Sequence, residues 1–379
     1  MGKQYDYIIS GAGCAGLSLL MRMISSDKFS EKKILLIDQS EKKVNDRTWC
    51  FWEKESGYFD GLVYHQWQNL WFHSKSDSKL LNIDPYSYKM IRGIDFYEYC
   101  FKRIRQQKNI DLIFGKVEAI KSDDRETFLL VGGEKISANY IFNSIRFQQP
   151  ILKKKDFLLL QHFKGWLIET SEPVFSTTEA SLMDFRVSQE YGMGFFYVLP
   201  FSSNKALVEF TLFSEKLLPA AAYDQELENY LQRFYKGTVY SKMEEEFGII
   251  PMTNYQFPSK QNNIIHIGMA GGQTKPSSGY TFQFIQKQSE ALVRSMIAKG
   301  MPLLPASKKR FHFYDSILLN VISTGKLSGE NIFADMFRKN KPTHILKFLD
   351  NESHLLQDIS IIQSLPTKPF LRAALQQIF

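Results

Sequence analysis

The stretch that most restricts this chain is its start: "YDYIIS" (5–10), "GAGCAG" (11–16), "LSLLMRMIS" (17–25) and "KILLIDQS" (33–40). A short apolar run reads as a buried strand, a glycine turn leads into a helix, and a second apolar run follows as a strand. Such a βαβ unit commits the chain to a parallel sheet with a right-handed crossover. Gly11, Gly13 and Gly16 stand in G-x-G-x-x-G spacing. The first glycine permits a sharp turn, the second lets backbone approach a pyrophosphate, and the third lets helix pack on strand. The helix start adds free N–H groups and partial positive charge for the phosphates. Asp38 closes the second strand, placed to accept from a ribose hydroxyl. Together these features predict a dinucleotide site. A second glycine-rich stretch carrying Gly268 and Gly279 suits FAD better than NAD, although spacing alone leaves both open.

With 379 residues the chain can bury a large core, and its length suggests about two to three domains. Phe, Tyr and Trp make up 14% of it, a share that hints at a large apolar ligand or an interface. No apolar run reaches the ~18 residues a membrane span needs. The N-terminus passes straight into a strand without a signal peptide, so a cytoplasmic location is expected. The net charge of +7 comes from dispersed basic residues with no aromatic–basic RNA motif, which argues against a nucleic-acid partner. Three scattered cysteines and seven scattered histidines offer neither a disulfide framework nor ligand spacing, so no metal is expected.

Further along, Met90, Ile91, Ile94, Tyr97 and Phe101 recur at helical spacing and predict a helix over 88–107. "DLIFGKVEAIK" and "TFLLVGG" read as a hairpin, and "NYIFNSI" as a strand returning to the parallel sheet. Between about 158 and 255 the texture changes to strand-like runs split by turn residues, interrupted by a helix at "QELENYLQRFY". Strand-then-glycine texture returns at 263–272, a helix ends near Gly300, and residues 301–379 read as helical. The expected fold is α/β. A Rossmann-like domain is built from 1–150 and 256–300, an antiparallel substrate-binding sheet from 151–255, and a helical C-terminal region from 301–379.

The motifs "DYIISGAGCAGLSLL", "NDRTWCFWE", "ASLMDFRV", "LPFSSNKALVEFTLFS" and "IGMAGGQTKPSSGYTF" carry a closer likeness. On them the chain resembles the flavin-dependent bacterial lycopene cyclase family over most of its length. The resemblance implies a flavoprotein-hydroxylase-like fold and non-covalent FAD used in its reduced form, with NADPH as reductant. The implied reaction is a cyclisation without net oxidation, taking lycopene and then the monocyclic carotene. An acid protonates a terminal double bond, a neighbouring double bond attacks the cation, and a proton leaves to give a β-ionone ring. Such chemistry demands a dry acid, aromatic faces for the cation and exclusion of water.

The family's acid lies in a stretch written F-L-E-E-T, which corresponds here to Leu207, Val208, Glu209, Phe210 and Thr211. The resemblance therefore assigns the catalytic acid to Glu209, whereas the second carboxylate of the pair is replaced by Phe210. Strand alternation puts Glu209 on one face with Leu207, Thr211 and Phe213, and turns Phe210 to the other. Read from its strand alone, Glu209 is more simply a solvated residue on an open sheet face. Asp184 either sits near the site or pairs with Arg186. Trp49, Phe51 and Trp52 form cavity wall or core, and Arg92 reaches phosphates or makes a surface salt bridge. Met269 stands where hydroxylase-like flavoproteins often carry Asp.

An apolar substrate must come from a bilayer, so peripheral contact with the inner membrane surface is expected. Residues 308–323 and 333–349 mix basic and large apolar side chains as an interfacial helix does. Two other readings compete. One is a flavin hydroxylase or prenyl reductase of similar fold; the other is a non-catalytic FAD- or carotenoid-binding protein.

Overall fold

The computed structural model describes residues 4–147, 149–306, 308–325 and 327–378. Strand β1 (Gln4–Ser10), helix α1 (Cys14–Ile24) and strand β2 (Ile34–Asp38) form the expected βαβ unit. Strand β1 lies parallel between β2 and the strand Glu134–Asn143, and Ile110–Phe114 and Ile264–His266 extend the sheet on either side. All five residues of β2 are buried, as expected for a parallel strand covered on both faces. Helix α1 packs against the helix Phe282–Lys299, which ends at Gly300 in the left-handed conformation a glycine C-cap favours.

A seven-stranded sheet forms the second layer, in the order Tyr240–Thr253, Leu158–Thr170, Lys205–Ser214, Met193–Pro200, Glu179–Asp184, Asn69–His73, Ser78–Asn82. Its pairings are antiparallel except where Glu179–Asp184 runs parallel to Asn69–His73. The last two strands come from the N-terminal third of the chain, a contribution that the local sequence pattern does not announce. One face of this sheet packs on the helix Ala220–Phe234, where Phe196 stacks on Tyr230 with ring centroids 4.0 Å apart. The opposite face meets the parallel-sheet domain and the C-terminal helices. Phe72 there stacks on Phe337 at 4.7 Å and Phe185 on Phe333 at 5.9 Å.

Two expectations need correction. Residues 87–92 form a strand, and the helix begins only at Gly93. Ser87–Arg92 lies between β3 (Thr48–Glu53) and His65–Trp67 and pairs with both, so cross-strand bonding overrides the helical spacing of Met90 and Ile91. The helices Lys309–Ser323, Gly329–Lys339 and Pro342–Leu349 turn their apolar residues inward. Phe311, Leu319, Phe333, Phe337, Ile345 and Leu346 are all buried, so these segments pack on their own protein. Exposed apolar side chains lie instead on the last two helices, Leu355–Ser364 and Thr367–Ile378. Among the described residues no helix is long and apolar enough to cross a membrane.

Candidate active site

The glycine turn has the geometry its spacing implies. Gly11 takes a φ of +103°, and a Cβ there would fall 2.1 Å from Ser144 Oγ. At Gly16 a Cβ would fall 2.0 Å from the Gly11 carbonyl oxygen, so only glycine allows α1 to approach β1 this closely. Gly13 is different: a Cβ there would meet no protein atom within 4 Å. It is the N-cap of α1, and no side chain caps the helix. The first-turn N–H groups and their partial charge thus face open space suited to an anion. Asp38 is buried at the end of β2, where Oδ2 accepts from the Ala12 N–H at 2.6 Å and Oδ1 from the Ser40 N–H at 2.8 Å. The carboxylate therefore braces the glycine turn.

From Gly13 a cavity of about 480 Å³ runs to the seven-stranded sheet. Gly268 and Gly279 line it with φ of +58° and +72°, conformations that favour glycine. A Cβ at Gly279 would sit 2.1 Å from Gln161 Oε1. Buried Gln161 and Ser278 line the same cavity, and Gln161 Oε1 and Ser278 Oγ have no protein partner. Open space over a helix N-terminus and unpaired polar atoms further in fit a long ligand with a phosphate group and a polar ring. Met269 lies in the wall, so no carboxylate occupies that position. Loop 273–281 is anchored from behind by Lys275, whose ammonium lies 2.8 Å from Asp315 on Lys309–Ser323, both side chains buried.

At the sheet end of the cavity stands Glu209, on the face that alternation assigns to it. Thr211 Oγ1 donates to its Oε1 at 2.7 Å. Phe210 points to the other face and stacks on Phe196, ring centroids 5.2 Å apart. A second carboxylate faces Glu209, and it comes from another strand. Gly165, on Leu158–Thr170, the second strand of that sheet, pairs with Glu209 on one side and Glu246 on the other. Because residue 165 has no side chain, the two glutamates lean toward each other across it. A Cβ at 165 would lie 3.2 Å from Glu246 Cγ and 3.5 Å from Glu209 Cβ. Their carboxyl groups are in hydrogen-bonding contact, which requires one proton between them. Glu246 also accepts from Thr48 Oγ1 at 2.9 Å.

Burial pushes Glu209 well above the usual carboxylate range, and the Glu246 charge adds to the rise. Glu246 is raised as well, chiefly by burial, while Thr48 and the Glu209 hydrogen bond oppose the shift. Burial also pushes the Tyr88 and Tyr197 phenols up, so the wall beside the pair is neutral and aromatic. Trp49 lines this cavity, whereas Phe51 is buried and stacks on Phe282 at 4.3 Å. Buried Trp52 meets Tyr280 edge-on at 4.8 Å.

Other candidate residues lie elsewhere. Asp184 is fully buried, bound by Arg186 Nη2 at 2.6 Å and by the Tyr230 hydroxyl at 2.8 Å, and has a structural role. Arg92 is engaged by Asp95 through two 2.7 Å bonds. Glu246 escaped sequence reasoning because the only available signal was "EEEFG" on a strand whose neighbours are mostly exposed. Among the described residues no group of three or more His, Cys, Asp or Glu could hold a metal ion.

The fold and glycine turn define the class, an α/β protein built like the FAD-dependent hydroxylases and halogenases, with a helical C-terminal region. Among solved structures it resembles a flavoprotein/dehydrogenase from Cytophaga hutchinsonii (TM-score 0.66, 12% identity, covering 100% of both chains). It also resembles a flavin-dependent brominase (TM-score 0.60, 13% identity, covering 99% of each). Within that class the sequence is more specific. The family model described as "Lycopene cyclase protein" matches residues 6–375, and the chain belongs to that family. It is 24% identical over 291 residues to a lycopene beta-cyclase of Pantoea ananas, covering 74% of this chain and 72% of that protein. A lycopene beta-cyclase of Pseudescherichia vulneris is 23% identical over 317 residues, covering 80% of this chain and 77% of that one.

Proposed function

We propose that this protein is a lycopene β-cyclase that converts the acyclic ends of lycopene into β-ionone rings, by way of the monocyclic carotene, without net redox change. The observation that carries this reading is the single cavity joining the glycine turn to Glu209, a half-buried carboxyl whose surroundings favour its protonated form. A flavoprotein that only moves electrons has no need of such an acid.

FAD fits the cavity by the open space at Gly13, the uncapped start of α1 and the unpaired Gln161 and Ser278 atoms. Reduced with NADPH as the electron source, it supplies an electron-rich ring in the cavity. Glu209 gives its proton to a terminal alkene carbon, and Thr211 holds the carboxyl in place for the transfer. Trp49 and Tyr197 offer aromatic faces to the cation. The Tyr88 and Tyr197 hydroxyls remain neutral phenols, and burial keeps the Cys50 thiol protonated, so none of these three is an anionic nucleophile toward it. Leu207 and Phe163 line the same space and limit access of water, which would turn the cation into an alcohol.

Membrane contact is part of the same reading, because the substrate dissolves only in lipid. The exposed Leu355, Ile359 and Ile362 on one terminal helix and Leu371, Leu375 and Ile378 on the next form the apolar part of the contact. Exposed Lys153, Lys154 and Lys155 adjoin them, with Lys155 Nζ bonded to the Gln377 carbonyl at 3.4 Å, and match an anionic bilayer.

Expression in a lycopene-accumulating bacterial host tests the proposal. A change from red lycopene to orange-yellow β-carotene is the expected result, and unchanged lycopene overturns it. NADPH oxidation matched to oxygen uptake and product would favour a hydroxylase.

A further inference from the structure

We propose that Glu246 is the positioning residue that keeps the transferable proton on Glu209, through a carboxyl–carboxyl contact that exists because position 165 is glycine. The inference rests on the cyclase reading and adds a residue to it. Register alone brings the two acids together: both are opposite Gly165 on Leu158–Thr170, one from each side. Each carboxyl is tied down separately, Glu209 by Thr211 and Glu246 by Thr48. Facing each other across Gly165, the two carboxyls can share one proton.

Electrostatics then sets the location of that proton. Ionising both carboxyls would place two negative charges side by side against a largely apolar wall, which favours keeping one of them protonated. The Arg47 guanidinium and the Thr48 hydroxyl favour charge on Glu246, whereas Glu209 has no cation of its own. The proton therefore resides on Glu209, which faces the cavity. Other groups on this site come from three further elements: Cys50 on β3, Tyr88 on Ser87–Arg92 and Tyr197 on Met193–Pro200. Asp46 adds a negative charge from the loop before β3. Burial raises Cys50, Tyr88 and Tyr197 well beyond neutral pH, which leaves the glutamate pair as the titrating unit.

The proton balance of the reaction uses this pair. The Glu209 O–H bond breaks as the terminal alkene's π electrons form a new C–H bond, leaving a tertiary cation. The second alkene's π electrons form the ring C–C bond and move the cation into the ring. A ring C–H bond then breaks, its electrons form the ring double bond, and its proton returns to the dianionic pair. No proton or electron is consumed overall. While the cation exists, both carboxylates are charged beside it, an attraction absent from the ground state.

Two measurements test the role. In the cofactor-free protein, infrared titration of the protonated carboxyl band follows Glu209 without reference to activity. Asp350, pushed up to about 7 by burial, contributes to this band in every variant, so the signal followed is the component lost in Glu209→Gln. That component is expected to persist into neutral pH and in Glu246→Gln to titrate about one pH unit or more lower, since the neighbouring charge is gone. In the FAD-loaded enzyme, the alkaline limb of the cyclisation profile should fall by the same interval in Glu246→Gln. Activity lost at neutral pH should return on acidification, and Glu246→Asp should restore part of the limb. Unchanged titration and an equal loss of rate at every pH would overturn the role of Glu246. A wild-type protein that keeps the carboxyl band but forms no ring would overturn the cyclase reading instead.

Discussion

The carboxyl groups of Glu209 and Glu246 meet in front of Gly165, one supplied by each of the two strands that flank Leu158–Thr170 in the seven-stranded sheet. In the family pattern F-L-E-E-T two acids are adjacent along one strand, which sends their side chains to opposite faces. Here Phe210 replaces the second acid and packs on the far side, while the nearby carboxylate arrives across the sheet.

Removing the acid should abolish the chemistry and leave the cofactor site intact. For Glu209→Ala we expect ring formation to fall by roughly 10²–10⁴-fold, the usual range for a lost general acid. Flavin absorbance of the purified variant should match wild type. Retained cyclisation, read by pigment extraction, would rule out Glu209 as donor.

A carboxyl held protonated above its normal range also weakens the fold as pH rises. Below the pKa of an unfolded glutamate both states carry the proton, and Glu209 costs nothing. Between that pKa and the raised folded one, only the unfolded chain releases its proton, so stability falls with increasing pH. Glu209→Gln removes this dependence. At neutral pH the variant should therefore be more stable than wild type, by about 1.4 kcal/mol for every tenfold by which folding tightens proton binding at Glu209. That gain should disappear near pH 4, as checked by denaturant titration at both values.

Gly165 should tolerate no branched side chain. In Gly165→Val, new carbon atoms would enter the gap between the two glutamates and force them apart. Displacement by about 1 Å can cost roughly 10²-fold in rate, so kcat should drop on that scale. The glycine turn proposed to hold the FAD phosphates is at the other end of the cavity, so FAD affinity should hold, as fluorescence titration would show.

The two glycines of the turn should fail differently. Gly13→Ala places its methyl group in space free of protein atoms, so melting should be unchanged while FAD affinity drops about tenfold, or 1.4 kcal/mol. Gly16→Ala drives a methyl into the Gly11 carbonyl and should destabilise the fold by about 1–3 kcal/mol. Thermal denaturation with and without FAD separates the two.

Lipid contact should depend on the terminal helices. Leu371→Glu with Leu375→Glu alters two exposed positions one turn apart and should reduce co-sedimentation with phosphatidylglycerol vesicles. Added salt should weaken binding of the wild-type protein, since the lysine contribution is screened. Equal sedimentation of both proteins would exclude this surface.

The sequence by itself determined the βαβ start, the tight turn at Gly11, the close helix–strand approach at Gly16, and the face on which Glu209 lies. All of these follow from local rules: the steric demands of a tight turn and the two-residue period of a strand. Only the tertiary structure decided what Glu209 faces. Glu246 lies 37 residues further on, and its partnership depends on the register of two strands against Gly165, which no local pattern encodes. Tertiary contacts likewise made Ser87–Arg92 a strand and buried the apolar sides of the helices between 309 and 349. Helical periodicity identifies an apolar face but not whether protein or lipid will cover it, because both remove that face from water.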